Sequence, residues 1–298
     1  MSSMEGTGSK SDTADDTNVE KKTSAYGSLL GKLLKYTRAA SHGGRMMMDL
    51  AASQWAQDED SSREHHKSID PSDWCVSPEQ WRDLVNQVYQ QFPDDHPEED
   101  MRDPTSVIVT RKLIAPLTSN SGLSFALQCN PYGLQIKYFI QHSWSYSFKK
   151  LARAIDKLFR ERGEGPIWIC IASIPQAWPY EELNLLLGES VRWSPFAMAL
   201  ERAECLVSIR DKNVNLMERK WCVLERVVAW HHNKNYIAIG PKCRLIDPST
   251  MGTHAKATDP RDTAKIERLL DNLGQKQEYR DVDFNAHINE LCMQTVEQ

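Results

Sequence analysis

The sequence predicts an α/β fold in which a mostly parallel sheet is covered by helices on both faces. Short apolar runs of strand length alternate with longer segments of helical periodicity through the second half of the 298-residue chain. The predicted strands lie at residues 134–140, 166–172, 206–209 and 235–239. Parallel strands joined by right-handed crossovers form a doubly wound sheet, whose binding sites lie at the carboxyl ends of the strands.

The helices between and after these strands are predicted from residue spacing and from end signals. Apolar residues recur at helical spacing from Phe148 to Phe159, and Gly163 follows where a helix C-terminus favours glycine. Pro195 occupies the first helical position of the next predicted helix, at residues 194–203, and marks its start. The later helices are predicted at residues 194–203, 218–232, 263–273 and 284–296.

The chain before the α/β domain (residues 134–298) is expected to contain two further parts. Residues 1–70 are predicted to form a mostly disordered tail. The polar and charged residues at both ends of this segment bury little surface. Its charged stretch at 57–67 is expected to be a linker, in which the adjacent His65 and His66 are incidental rather than metal ligands. Residues 71–133 predict a small α+β preface, with a capped helix after Ser77. Its strands are predicted at residues 107–109, 113–114 and 123–127.

A short basic amphipathic helix is predicted within the tail, at residues 24–40. Leu29, Leu30, Leu33 and Leu34 share one face, and lysine and arginine residues lie between and after them. Such a helix binds an anionic membrane surface or the groove of a protein partner. The alternative is that it docks on its own domain.

The charge and the cysteines exclude several classes of protein. A net charge of -5 with no basic face argues against a nucleic-acid partner. The seven cysteines form no CxxC pair, which favours reduced thiols in a cytoplasmic protein over a disulfide framework or a metal site. No apolar stretch approaches the length of about 18 residues that a membrane-spanning helix needs.

Glu225 is the candidate functional residue that the pattern singles out. It lies on the predicted helix at 218–232, beside an apolar face that includes Trp221, Leu224 and Val228. One interpretation is a boundary carboxylate that reaches solvent or pairs with a neighbouring arginine. The other is a site acid in a cleft beside the sheet.

Three segments of the α/β domain resemble the successive conserved boxes of a Toll/interleukin-1 receptor (TIR) domain. They are residues 138–143 (YFIQHS), 199–209 (ALERAECLVSI) and 219–225 (RKWCVLE). The Trp-Cys-x-x-Glu pattern of the last segment is the most specific of them. The resemblance covers residues 134 to 275, extends to TIR-like proteins of unicellular algae, and implies a flavodoxin-like sheet.

The resemblance also implies a function. Many TIR domains are NAD glycohydrolases in which the glutamate of the last box is catalytic, and Glu225 matches that glutamate. NAD would then be a substrate, and no cofactor is implied. Ser143, Trp144 and Trp193 become candidate substrate-binding residues, with Trp178 a further candidate for ring stacking and core packing the alternative for each tryptophan. Trp221 and Cys222 become structural residues of the last box, and self-association is expected.

Three functions are therefore expected to compete. The first is an NAD-hydrolysing enzyme, and the second is a non-enzymatic signalling or scaffold module that acts by self-association or partner binding. The third is a thiol hydrolase that uses Cys170 or Cys222 with His142 or His231, although no local motif places a base beside either cysteine. A cavity that opens at Glu225 beside Ser143 and Trp144 favours the first function, whereas a salt-bridged Glu225 without a cavity favours the second.

Overall fold

Four parallel strands form the sheet of the computed structural model, which describes residues 59–188, 193–241, 255–257 and 260–274. The strands are β1 (Tyr138–Gln141), β2 (Ile167–Ile169), β3 (Cys205–Ile209) and β4 (Asn235–Ile239). Their order across the sheet is β2-β1-β3-β4, so β1 and β3 lie at its centre. All three pairs of neighbouring strands are parallel, which confirms the predicted α/β class.

Helices connect and cover the strands. The longer helices of the described residues are α1 (Glu59–Ser68), α2 (Pro78–Gln91), α3 (Phe148–Arg162), α4 (Tyr180–Leu186), α5 (Pro195–Arg202), α6 (Lys220–His231) and α7 (Arg261–Gly274). Shorter helical segments are Pro71–Asp73, Glu99–Arg102, Ser106–Val109, Thr110–Ile114, Ala115–Thr118, Phe125–Cys129, Cys170–Ser173 and Leu216–Glu218. The predicted helices at α2, α3, α5, α6 and α7 are confirmed. Gly163 follows α3 with a φ of 83°, a left-handed conformation that favours glycine.

The sheet is wound in both directions from β1. The chain passes from β1 through α3 to β2, and then returns across β1 to β3 and β4. Alternate strand residues face opposite sides: Tyr138 and Ile140 pack with α3, whereas Phe139 packs with α5 and α6. The two directions of winding thus place helices on both faces, as right-handed crossovers require.

The predicted strands at 107–109, 113–114 and 123–127 are wrong, because these residues form helical segments. Thr105 Oγ1 accepts a hydrogen bond from Ile108 N, and Ser124 Oγ accepts one from Leu127 N, so side-chain caps start both turns. Val109 and Leu113 lie four residues apart and are both buried in the core. The β-branched residues favour strands locally, but the caps and this buried helical face outweigh that preference.

The expected charged linker at 57–67 is also wrong, since α1 occupies residues 59–68. His66 is fully buried, with its ring centroid 4.3 Å from that of Trp74 and 5.3 Å from that of Trp178. Burial lowers the pKa of His66 to about 3. The charged sequence does not indicate this packing, because one aromatic partner of His66, Trp178, lies 112 residues further along the chain.

The residues before the α/β domain share its core. Val76 exchanges two backbone hydrogen bonds with Ile167 of β2, at 3.1 and 3.0 Å. Trp81 of α2 packs at 5.5 Å, between ring centroids, against Phe148 of α3. Residues 71–133 therefore pack directly on the sheet and on α3.

Several predictions fall outside the described residues: the tail up to residue 58 with its basic helix at 24–40, and the helix at 284–296. Within the described part of the chain, no helix combines the length and the apolar character needed to cross a membrane. The cysteines in that part are free thiols: Cys75, Cys129, Cys170, Cys205 and Cys222.

Candidate active site

A cavity of about 610 Å³ opens at the carboxyl edge of the sheet. Its walls come from the ends of β1 and β2, from the first half of α6, from α4 and from the start of α7. The strands β2 and β3 lie on opposite sides of β1. The helices that follow β1 and β2 therefore separate at this edge and leave a crevice. The cavity therefore lies where a doubly wound sheet binds its ligands.

Glu225 lines this cavity from α6 and is 6% exposed. Its carboxyl oxygen Oε2 accepts a hydrogen bond of 3.0 Å from Gln141 Nε2, and no cation pairs with it among the described residues. Burial raises the pKa of Glu225 to about 8, and the hydrogen bond from Gln141 opposes part of that rise. Glu225 is thus a cavity carboxyl rather than a boundary residue paired with an arginine.

Gln141 links Glu225 to the centre of the sheet. It is the last residue of β1 and lies opposite Ser208 of β3. The Ser208 hydroxyl donates to Gln141 Oε1 at 2.5 Å, and Gln141 Nε2 also donates to the backbone oxygen of Cys222 at 2.8 Å. A buried polar chain therefore connects two strands to the helix that carries Glu225.

A thiol and an imidazole meet in the same cavity. Cys170 Sγ lies 3.5 Å from His142 Nε2 and accepts a hydrogen bond of 3.2 Å from Trp144 Nε1. His142 Nδ1 lies 3.2 Å from the carbonyl oxygen of Ser143, so Nδ1 carries the proton and Nε2 accepts from the thiol. The thiol–base pair that no sequence motif indicated is therefore present in the fold.

The electrostatics of this pair oppose thiolate formation. Burial, with the charge of Glu225 as a smaller cause, raises the pKa of Cys170 to about 12. Burial lowers the pKa of His142 to about 4. Both groups are neutral near neutral pH, which is the reverse of the ion pair that activates a cysteine nucleophile.

Aromatic rings form one wall of the cavity. Trp221 stacks on Phe196 with 4.8 Å between ring centroids, and its Nε1 donates to Asp262 Oδ2 at 3.1 Å. The Tyr180 hydroxyl donates to the other oxygen of Asp262 at 3.2 Å, and the Arg261 guanidinium lies 3.4 Å from the Tyr180 ring centroid. Trp221 is therefore both a packing residue and part of the cavity surface.

Four basic side chains contribute to the lining: Arg111, Arg219, Lys256 and Arg261. Arg111 and Lys256 are exposed, so their charges lie at the mouth. Arg111 belongs to the helical segment Thr110–Ile114, far before the sheet in sequence. Such a mouth attracts anionic groups, phosphate above all.

The structure brings some of the predicted site residues together and leaves others apart. Glu225, Trp144, Trp221 and Cys222 line the cavity. Ser143 does not line it, since its hydroxyl lies 2.9 Å from that of Ser145 in the turn after β1.

The other predicted residues lie elsewhere. Trp193 lies outside the cavity lining and is 63% exposed. Trp178 is a buried residue that donates to Gly122 O at 2.8 Å. His231 lies nine residues after Cys222 on α6, about 13 Å along the axis, and cannot act as its base.

No group of three His, Cys, Asp or Glu residues in the described part of the chain is arranged to hold a metal ion. Comparison with protein-family models, with curated proteins and with solved structures finds no match.

Proposed function

We propose that the chain is a TIR-like NAD glycohydrolase that cleaves NAD to nicotinamide and ADP-ribose, with Glu225 as its catalytic carboxylate. The observation that carries the proposal is the burial of the Glu225 carboxyl, which pairs with no cation among the described residues, in a cavity at the carboxyl edge of the sheet. The strand order β2-β1-β3-β4 supports it, because flavodoxin-like sheets have the same order over their first four strands. The three segments that resemble TIR boxes include Gln141 at the end of β1, β3 itself and Glu225 on α6.

The chemistry needs one well-placed carboxylate. When the bond between ribose C1′ and the nicotinamide nitrogen breaks, its electron pair stays on that nitrogen, and the cationic ring leaves as neutral nicotinamide. The ribose becomes oxocarbenium-like, so a carboxylate that faces C1′ stabilises the transition state. Water then bonds to C1′ and releases a proton. Because the leaving group is neutral, no second acid is required to protonate it.

The size, the aromatic rings and the charge of the cavity support the binding of a dinucleotide. Its volume of about 610 Å³ is within the usual range for small-molecule sites. Trp144 and Trp221 offer ring surfaces for the nicotinamide or adenine, and the basic residues at the mouth suit the diphosphate. The cationic nicotinamide ring beside Glu225 favours its ionised form, so substrate binding lowers the pKa of the carboxyl.

The test is to incubate the purified protein with NAD across a range of pH and to measure nicotinamide and ADP-ribose. In the free protein the active carboxylate forms as pH rises toward the Glu225 pKa of about 8. We expect kcat/KM to rise about tenfold per pH unit below that value and to level off above it. We expect kcat to level off at lower pH, because bound NAD lowers the same pKa.

The protein must be concentrated enough to assemble, since self-association is expected of a TIR-like chain. Light scattering reports assembly and circular dichroism reports folding. If the folded, assembled protein releases no nicotinamide at any pH, the proposed NAD hydrolysis is excluded. A non-enzymatic scaffold then becomes the better explanation of the fold.

Arg111→Gln is expected to raise KM for NAD about twofold to fivefold, the usual effect of removing an exposed charge, with kcat unchanged. Lys112→Gln is the matched control, because Lys112 is an exposed neighbour that does not line the cavity. Neither variant should alter the KM for nicotinamide riboside, which has no phosphate. Equal effects of the two variants on NAD would show that Arg111 does not contact the diphosphate.

A further inference from the structure

Gln141 is the one side chain of the described residues that hydrogen-bonds Glu225. It is 1% exposed at the end of a strand whose other three residues are Tyr138, Phe139 and Ile140. A polar group in such a place is costly unless its hydrogen bonds are satisfied. The hydrogen bonds of Gln141 therefore show which groups fix its side chain and which group its side chain fixes in turn.

The orientation of the Gln141 amide is determined by its neighbours. The backbone oxygen of Cys222 can only accept, so the atom that lies 2.8 Å from it must be the donor Nε2. Nε2 uses its other hydrogen for Glu225 Oε2 at 3.0 Å, and Oε1 accepts from the Ser208 hydroxyl at 2.5 Å. A flipped amide would place its oxygen against two acceptors. The amide consequently presents only an N–H group to Glu225.

We propose that Gln141 is a positioning residue: held by Ser208 and by the Cys222 backbone, it binds Oε2 of Glu225 and directs Oε1 into the cavity. Two observations agree with this arrangement. Glu225 lines the cavity although its Oε2 is engaged by Gln141. Oε1 accepts no hydrogen bond from a described residue, and it keeps some accessible surface rather than being fully buried.

The arrangement determines where the Glu225 proton resides. An oxygen that accepts an N–H group is the poorer place for a proton, so the neutral carboxyl carries its proton on Oε1. When that proton leaves, the N–H···O bond becomes charge-assisted and stabilises the carboxylate. The catalytic consequence rests on the proposed function: Oε1 is then the oxygen that faces ribose C1′.

The other titratable groups beside Glu225 stay neutral while it titrates. Burial lowers the pKa of His142, at the end of β1, to about 4, and raises the pKa of Cys170, after β2, to about 12. Burial also raises the pKa of Cys222, on the same helix as Glu225, well above its ordinary value. The charged groups that line the cavity are Arg111, Arg219, Lys256, Arg261 and Asp262.

The experiment is a pH titration of protein whose glutamate side-chain carboxyls are labelled with ¹³C, followed by NMR. The signal lost in Glu225→Gln identifies Glu225, and its wild-type midpoint is expected near pH 8. Gln141→Met preserves side-chain length but removes the N–H donor, so the midpoint should rise by about one pH unit, a tenfold increase in proton affinity. Ser208→Ala loosens the amide and should raise it by about half as much.

Ser173→Ala is the matched control, since Ser173 is an equally buried serine after β2 whose hydroxyl accepts from Ile169 N at 3.0 Å. Its midpoint should equal that of the wild type. An unchanged midpoint in folded Gln141→Met overturns the proposal and leaves Gln141 a purely structural residue. If that variant does not fold, Ser208→Ala decides in the same way.

The NMR titration needs no NAD turnover, so its outcome is separate from the outcome for the proposed function. A raised midpoint in a protein that does not hydrolyse NAD would preserve the positioning role and remove only its catalytic consequence. In an active protein, the midpoint of the kcat/KM profile should move with the NMR midpoint. A kcat/KM midpoint that stays at the wild-type value while the NMR midpoint moves would overturn the catalytic consequence.

Discussion

Glu225→Gln is expected to lower kcat for nicotinamide release by about three orders of magnitude. The amide has nearly the same shape as the carboxyl, and its oxygen still accepts the N–H group of Gln141. It carries no negative charge at any pH, so it does not stabilise the oxocarbenium-like ribose. KM for NAD should rise only modestly near neutral pH, because Trp144, Trp221 and the basic residues of the cavity remain, and more at high pH, where the lost carboxylate would have been ionised.

The matched control for this loss is Glu218→Gln. Glu218 lies in the helical turn Leu216–Glu218 just before α6, is exposed, and does not line the cavity. The same chemical change there should leave kcat within a factor of about two, as for most exposed substitutions. If Glu225→Gln retained more than about a tenth of wild-type kcat, the proposed catalytic role would have to be abandoned.

The regular elements of the fold were predictable because their signals are local. The helical spacing from Phe148 to Phe159 reflects one buried face of α3, and the apolar run at 235–239 coincides with β4. Between residues 106 and 129 the local signal is misleading. There β-branched residues occur in runs too short to show a period, and the caps at Thr105 and Ser124 determine the backbone.

The site residues that could be predicted are those whose position in the sequence determines their position in the fold. Trp144 lies three residues after the end of β1, and Glu225 lies in the first half of the helix that follows β3, so both could be expected near the carboxyl edge of the sheet. Cys170 and His142 are separated by 28 residues and meet only through the pairing of β1 with β2. Arg111 lies between the predicted strands at 107–109 and 113–114, which are helical in the structure, and it reaches the cavity from there. No local pattern could have linked these residues.

One sequence signal for the contact between Gln141 and Ser208 does exist. Gln141 and Ser208 are polar residues at or near the ends of otherwise apolar strands, and each needs a partner when buried. In neighbouring parallel strands such residues can satisfy each other, and their register shows that they do. Two polar interruptions near the carboxyl ends of predicted strands therefore predict a network at the edge that binds ligands.

The second large effect expected of Glu225→Gln is a pH-dependent gain in stability. The pKa of Glu225 is about 8 in the folded protein and near its ordinary value of 4.5 in the unfolded chain. Between these values the folded state retains a proton that the unfolded state has lost, so the free energy of unfolding falls as pH rises. Each pH unit costs about 1.4 kcal/mol, and the total approaches about 4 kcal/mol at pH 8.

The substituted amide does not ionise, so the variant escapes this loss. Chemical denaturation of both proteins at about pH 4.5 should give nearly equal free energies of unfolding, whereas at about pH 8.5 the variant should be more stable by several kcal/mol. His66 and His142 titrate in both proteins, and the difference between the two therefore isolates Glu225. Equal stability across the whole range would mean that the carboxyl ionises freely in the fold. A gain that grows with pH, in a variant that no longer releases nicotinamide, is the result expected when a site retains a buried carboxyl for its chemistry at the expense of stability.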